Sequence, residues 1–187
     1  MAGLIARFGR LRVTAEPREP YEALCESVIY QQLHAKAAAA ITARFAAQIG
    51  DGAFPAPQMI LAASDEALRS VGLSGNKTAA LRDLARHAAD ARLPSLAACE
   101  ALDDETLIAR FCEIRGVGRW TAEMFLIFTL GRPDVLPSGD LGVRRGYQNA
   151  FVKPALPTPR ELTQAGIPWA PFRTLATLYL WRAASPS

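Results

Sequence analysis

Residues 115–122 read RGVGRWTA: two glycines around a valine, then an arginine and a tryptophan where a helix is set to begin. Before it, ETLIARFCEI (105–114) carries apolar residues at helical spacing. After it, RWTAEMFLIFTL (119–130) is apolar on almost every side, with Glu123 as its single acid. A one-sided helix, a Gly-x-Gly turn and a helix buried all round make a hairpin across 104–130. Without a Cβ, Gly116 and Gly118 can take positive φ and let backbone N–H groups approach an anion closely. The start of the second helix adds its positive dipole end. A plain turn between two helices has the same pattern, so the hairpin alone leaves both readings open.

The rest of the chain supplies the context. Its 187 residues suffice for one domain or two small subdomains with a buried core. The hydrophobic half is rich in alanine and leucine, with no alternating strand pattern and no solenoid repeat, so an all-α fold is expected. A net charge of +3 tilts weakly towards a polyanionic partner. Cys25, Cys99 and Cys112 are odd in number and far apart, which argues against a disulfide framework, a zinc site or an iron–sulfur cluster. No apolar run reaches the roughly 18–20 residues that span a bilayer, and the opening MAGLIARFGRLRV lacks a long apolar core and a cleavage site. The expected place is the cytoplasm, with the nucleoid, and no membrane partner.

Along the chain, residues 1–20 read as a lead-in closed by EPREP. YEALCESVIYQQLHAKAAAAITARFAAQIG (21–50) runs with helical periodicity, and Leu24, Val28, Ile29, Leu33, Ile41 and Phe45 can share one buried stripe. Ser64 reads as the cap of DEALRSVG, and a further helix follows Gly75 with Leu81, Leu84 and Ala88 inward and Arg82, Asp83 and Arg86 outward. Asp103 or Asp104 can cap the first hairpin helix. After the loop GRPDVLPSG, Asp140 opens another helix, and PFRTLATLYLWRAA closes the chain.

Hairpin, apolar helix, Gly/Pro-rich loop and a lone aspartate in LPSGDLGVRRGY, in this order, resemble the helix-hairpin-helix (HhH-GPD) superfamily of DNA glycosylases. VIYQQLHAKAAAAI, VGLSGNKTAALRDLA and WAPFRTLATLYLWR are similar to stretches of its alkylpurine branch, the 3-methyladenine DNA glycosylase II type, so the resemblance covers most of 21–182. It implies two helical subdomains with a cleft between them and the hairpin at the cleft. One is a barrel over 21–130; the other joins 1–20 to 131–187. It also implies a short form without the β-rich N-terminal domain of longer relatives.

The resemblance assigns roles residue by residue. Asp140 matches the catalytic aspartate, and it also sits where an aspartate caps a helix. Trp120 stands where lyase-type members carry a nucleophilic lysine, which implies hydrolysis without strand cleavage. With Trp181 and Met124 it would line the base pocket, where an indole face attracts a cationic purine. Gln31 and Gln32 match the segment that fills the gap left by a flipped nucleotide. Relatives usually continue with serine where this chain has His34. Gly116, Gly118 and Arg119 would hold the DNA backbone, with Lys77, Arg144 and Arg145 as further phosphate contacts. Main-chain carbonyls of Cys112, Ile114 and Val117 match those holding a monovalent cation, sodium or potassium, in the family. The chemistry itself needs no cofactor. The implied activity is removal of alkylated purines from double-stranded DNA by a monomer. The rivals are a same-fold enzyme for another lesion such as hypoxanthine, and a non-catalytic DNA-binding module.

Overall fold

The computed structural model describes residues 1–184, so the last three residues of the 131–187 segment lie outside it. Among the described residues there are twelve α-helices, one 3-10 turn and no strand, as the all-α reading expects. In chain order the helices are α1 (Ala2–Phe8), α2 (Pro20–Tyr30), α3 (Ala35–Ile49), α4 (Pro57–Ala62), α5 (Asp65–Ser70) and α6 (Gly75–Ala89). They continue as α7 (Leu96–Ala101), α8 (Asp104–Cys112), α9 (Arg119–Phe128), α10 (Leu141–Ala150), α11 (Pro159–Ala165) and α12 (Arg173–Ala184), with the 3-10 turn at Ile167–Trp169. No helix of the described residues is long and apolar enough to cross a membrane. The chain forms two compact units, one from Pro17 to Phe125 and one joining Met1–Glu16 to the residues from Leu126 onward.

The Pro17–Phe125 unit buries Leu24, Val28 and Ile29 of α2 with Phe45, Leu81 and Phe111. The periodic stretch 21–50 is not one helix. It breaks at Gln31–His34, where Gln32 takes φ 57 and Leu33 is left 39% exposed. The reason is chemical. Lys77 Nζ donates to the carbonyls of Ile29 (2.6 Å) and Gln31 (2.8 Å), acceptors that a continuing helix would have offered to its own N–H groups. Apolar spacing alone cannot show a cation arriving from 46 residues away.

Helix α6 starts where expected, capped by Ser74, and Leu81 and Leu84 are buried. Arg82, read from the sequence as facing out, instead lies half-buried. Its guanidinium donates to the carbonyls of Ile60, Leu61 and Ala63 at the end of α4 and to Asp65, closing that helix with positive charge. Ser64 and Asp103 cap α5 and α8 through their side chains.

In the second unit the lead-in holds a helix that its seven residues were too few to announce by periodicity. Leu4 of α1 is buried with Val143, Leu162, Tyr179 and Leu180. The Tyr179 hydroxyl donates to the Gly9 carbonyl (2.7 Å) and accepts from the Leu11 N–H (3.1 Å), fixing the chain after α1. α10 and α12 approach so closely that a Cβ on Gly146 would lie 1.8 Å from the Leu180 carbonyl oxygen. The loop before α10 is pinned by Asp134, which accepts two bonds from the Arg173 guanidinium at 2.7 and 2.8 Å. Thr158 and Glu161 close α11 as a reciprocal capping box.

Candidate functional site

The hairpin is α8, the turn 113–118 and the first part of α9. Asp103 caps α8 by accepting from the Thr106 N–H (2.9 Å), leaving the apolar side of the helix free to pack. Gly116 carries φ 80, and a Cβ there would meet the Ala80 Cβ at 2.8 Å. Both the left-handed backbone and the closeness of α6 therefore require glycine. Gly118 is different: it is not among the positive-φ glycines, and a Cβ there would meet nothing within 4 Å.

Two side chains hold the turn. Asp83 on α6 accepts from the Arg115 N–H at 2.9 Å. Gln31, just past α2, donates from Nε2 to the Gly116 carbonyl at 2.9 Å and lies 3.4 Å from Thr121 Oγ1. Arg119 binds Glu105 across the hairpin (Nη1, 2.9 Å) and Glu123 one turn along α9 (3.0 Å). These carboxylates hold the guanidinium pKa above its ordinary value, and the arginine holds Glu105 below its own.

Helix α9 is buried at Thr121, Ala122, Glu123, Phe125, Leu126 and Ile127, as its composition predicts. Its exceptions are ordered. Trp120 is 46% exposed, Met124 is half-buried and Phe128 is 44% exposed. These positions recur every four residues, so they form one stripe along the helix.

Asp140 stands at the start of α10. Its Oδ1 accepts from the Val143 N–H at 2.7 Å and from the Trp181 indole Nε1–H at 3.1 Å. The Trp181 ring in turn stacks on Phe128, with centroids 5.9 Å apart and planes 16° apart. A Cβ on Gly142 would come within 3.0 Å of that carboxylate oxygen and 3.1 Å of Trp181 Cδ1. The structure thus joins Asp140 and Trp181, predicted site residues 41 positions apart, and adds Phe128 and Gly142, which sequence reasoning missed. Phe128 could have been found from its place eight residues after Trp120; nothing in the sequence marks Gly142.

The remaining predicted residues fall into two groups. Gln32 and Arg145 are exposed. Lys77 and Arg144 are half-buried and bonded to backbone carbonyls, Lys77 as described and Arg144 to Pro157 at 2.6 Å. Burial lowers the Lys77 pKa. In the turn, the Ile114 carbonyl accepts from the Val117 N–H at 3.0 Å. No group of three or more His, Cys, Asp or Glu side chains suited to a metal ion occurs among the described residues.

Residues 25–171 match the profile of the HhH-GPD superfamily base excision DNA repair proteins. The chain belongs to the HhH-GPD superfamily. Within it, the chain is 41% identical over 169 residues to DNA-3-methyladenine glycosylase 1 of Schizosaccharomyces pombe, a match covering 90% of this chain and 74% of the relative. The structure of that organism's 3-methyladenine DNA glycosylase Mag1 in complex with abasic DNA superposes with a TM-score of 0.86 at 40% identity, covering 97% of this chain and 89% of Mag1. The DNA-3-methyladenine glycosidase of Bacillus halodurans matches equally well, with a TM-score of 0.86, 38% identity, and 98% and 83% of the two chains covered. Among HhH-GPD members, then, the similarity reaches the alkylpurine branch that the sequence motifs resemble.

Proposed function

We propose that this HhH-GPD protein is a monofunctional DNA glycosylase. It hydrolyses the N-glycosidic bond of alkylated purines of the 3-methyladenine and 7-methylguanine type in duplex DNA and leaves an abasic site for base excision repair. It works as a monomer in the cytoplasm, on the chromosome. The observation that carries the reading is the Asp140 carboxylate, held at the start of α10 by the Val143 N–H and the Trp181 indole. The named relatives support the substrate class.

The chemistry needs little beyond that carboxylate. A ring-alkylated purine is cationic, so when the C1′–N bond breaks the base takes the electron pair and leaves neutral. Positive charge remains on the deoxyribose, and a fixed carboxylate stabilises it. The same group orients the attacking water, whose hydroxyl bonds to C1′ as its proton passes to the carboxylate or to solvent. Trp120 has no amine, so no Schiff base with the sugar can form at its position and the strand stays intact. Trp120, Met124 and Trp181 supply apolar and π-rich surface for the base, with attraction of roughly 0.5–2 kcal/mol for a cationic ring over an indole.

On the DNA side, the hairpin N–H groups around Gly116 and Gly118 and the start of α9 take the backbone, with Arg119 beside them and the exposed Arg145 as a further phosphate contact. Lys77 and Arg144, each bonded to backbone carbonyls, are further cations for the phosphates. Gln32, exposed on its left-handed backbone, is the side chain that fills the gap in the duplex. The main-chain oxygens of Cys112, Ile114 and Val117 are hard neutral donors, suited to a sodium or potassium ion. The Ile114 oxygen keeps a second lone pair beyond its bond from Val117.

The test is to incubate the protein with methylated duplex DNA and identify the released base. Free 3-methyladenine or 7-methylguanine is expected, and Asp140→Asn should slow release by about 100-fold or more. DNA binding without release, or equal release by the variant, would refute the reading. So would strand scission through a borohydride-trapped adduct, for the monofunctional part.

A further inference from the structure

We infer that Gln31 and Lys77 form a brace that sets the gap-filling residue Gln32 in place and ties it to the hairpin. The inference rests on the glycosylase reading above. Gln31 and Gln32 are neighbours in sequence but have different surroundings. The Gln31 side chain points back, donating to the Gly116 carbonyl at 2.9 Å, with Thr121 Oγ1 at 3.4 Å. Gln32 is exposed, with φ 57. A side-chain-bearing residue in that left-handed region costs on the order of 1 kcal/mol, so something must hold it there.

Lys77 is the holder on one side. Its ammonium takes the carbonyls of Ile29 and Gln31, ending α2 at Tyr30 and turning the chain outward at the next residues. Gln31 is the holder on the other. It attaches the same backbone to the one glycine of the Gly-x-Gly turn whose φ is positive. The hairpin that grips the DNA backbone and the residue that enters the duplex are thereby linked through one side chain and one backbone unit. A grip on the phosphate then fixes the height from which Gln32 reaches in. Gln31 and Lys77 act through Gln32 and are positioning residues, not the wedge itself.

The experiment uses the whole chain and 7-methylguanine in two duplexes. In one the lesion faces cytosine and extrusion is costly; in the other it faces a non-pairing spacer and extrusion is cheap. Single-turnover release is measured for the wild type, Gln31→Leu, Lys77→Met, Gln32→Ala and the Gln31→Leu/Gln32→Ala pair. The brace predicts that Gln31→Leu and Lys77→Met each lower the cytosine-to-spacer rate ratio by about tenfold. It also predicts that Gln31→Leu adds less than about twofold once Gln32 is alanine, since coupled residues are not additive. Equal slowing on both duplexes, full additivity with Gln32→Ala, or no effect would overturn it. Gln31 is only half-buried, so its variant decides the matter even if Lys77→Met fails to fold. Absence of release by the wild type from both duplexes would instead overturn the glycosylase reading, and this inference with it.

Discussion

Asp140 Oδ1 accepts from the Val143 N–H and from the Trp181 indole, so one oxygen both caps a helix and aims a carboxylate. Capping and catalysis need the same rigid placement, which is why neither use excludes the other. Trp181→Phe leaves an aromatic ring facing Phe128 and removes the N–H together with the five-membered half of the indole. Release should slow by about tenfold, the scale of one hydrogen bond to a charged group, and by much less than with Asp140→Asn. Gly142→Ala tests the same bond from outside. The added Cβ would press on both partners at about 3 Å, while alanine favours the helix by up to about 1 kcal/mol. Activity should fall while the urea midpoint stays level or rises, and unchanged kinetics would show that the pair yields without cost. At this scale the sequence was readable where chemistry is local. An aspartate three residues before its N–H partner is visible as a cap. An indole 41 positions on is not, and neither is the reason for a glycine whose neighbour is that indole.

At the scale of elements, helix α10 meets α12 through Gly146, where a Cβ would overlap the Leu180 carbonyl at 1.8 Å. Backbone oxygen cannot rotate away as a side chain does. Gly146→Ala should therefore destabilise the protein by about 2 kcal/mol or more despite alanine's better helix propensity, a balance that urea unfolding reads directly. Ser64, Asp103 and Asp140 were legible as caps because each stands just before a run of helical period. The break at Gln31–His34 was not. Its cause is the Lys77 ammonium, expected as a phosphate contact and found on the Ile29 and Gln31 carbonyls. Arg82 misled in the same way: its guanidinium ends α4 instead of facing water. Long cationic side chains that satisfy helix C-termini are hidden from any pattern based on polarity alone.

For the molecule as a whole, carboxyls in both units have pKa values held below their ordinary range. In the Pro17–Phe125 unit these are Asp103, bonded to Thr106, and Glu105, bonded to Arg119. In the other unit they are Asp134, bonded to Arg173, and Glu161, bonded to Thr158. A depressed folded-state pKa means that the unfolded chain binds more protons just below the ordinary carboxylate range. The stabilisation is therefore complete above about pH 5 and is lost as pH falls through about 4 towards the folded values. The urea midpoint should be nearly level from pH 7 to about 5 and drop steadily from about 4.5 to 3. Asp134 is the sharpest case, because it takes three bonds from Arg173: the backbone N–H at 3.2 Å and the guanidinium at 2.7 and 2.8 Å. Asp134→Asn should lower the midpoint at pH 7 and flatten the acid slope, since an amide has no proton to gain. A variant that loses stability equally at every pH would assign Asp134 a purely steric part in the loop before α10.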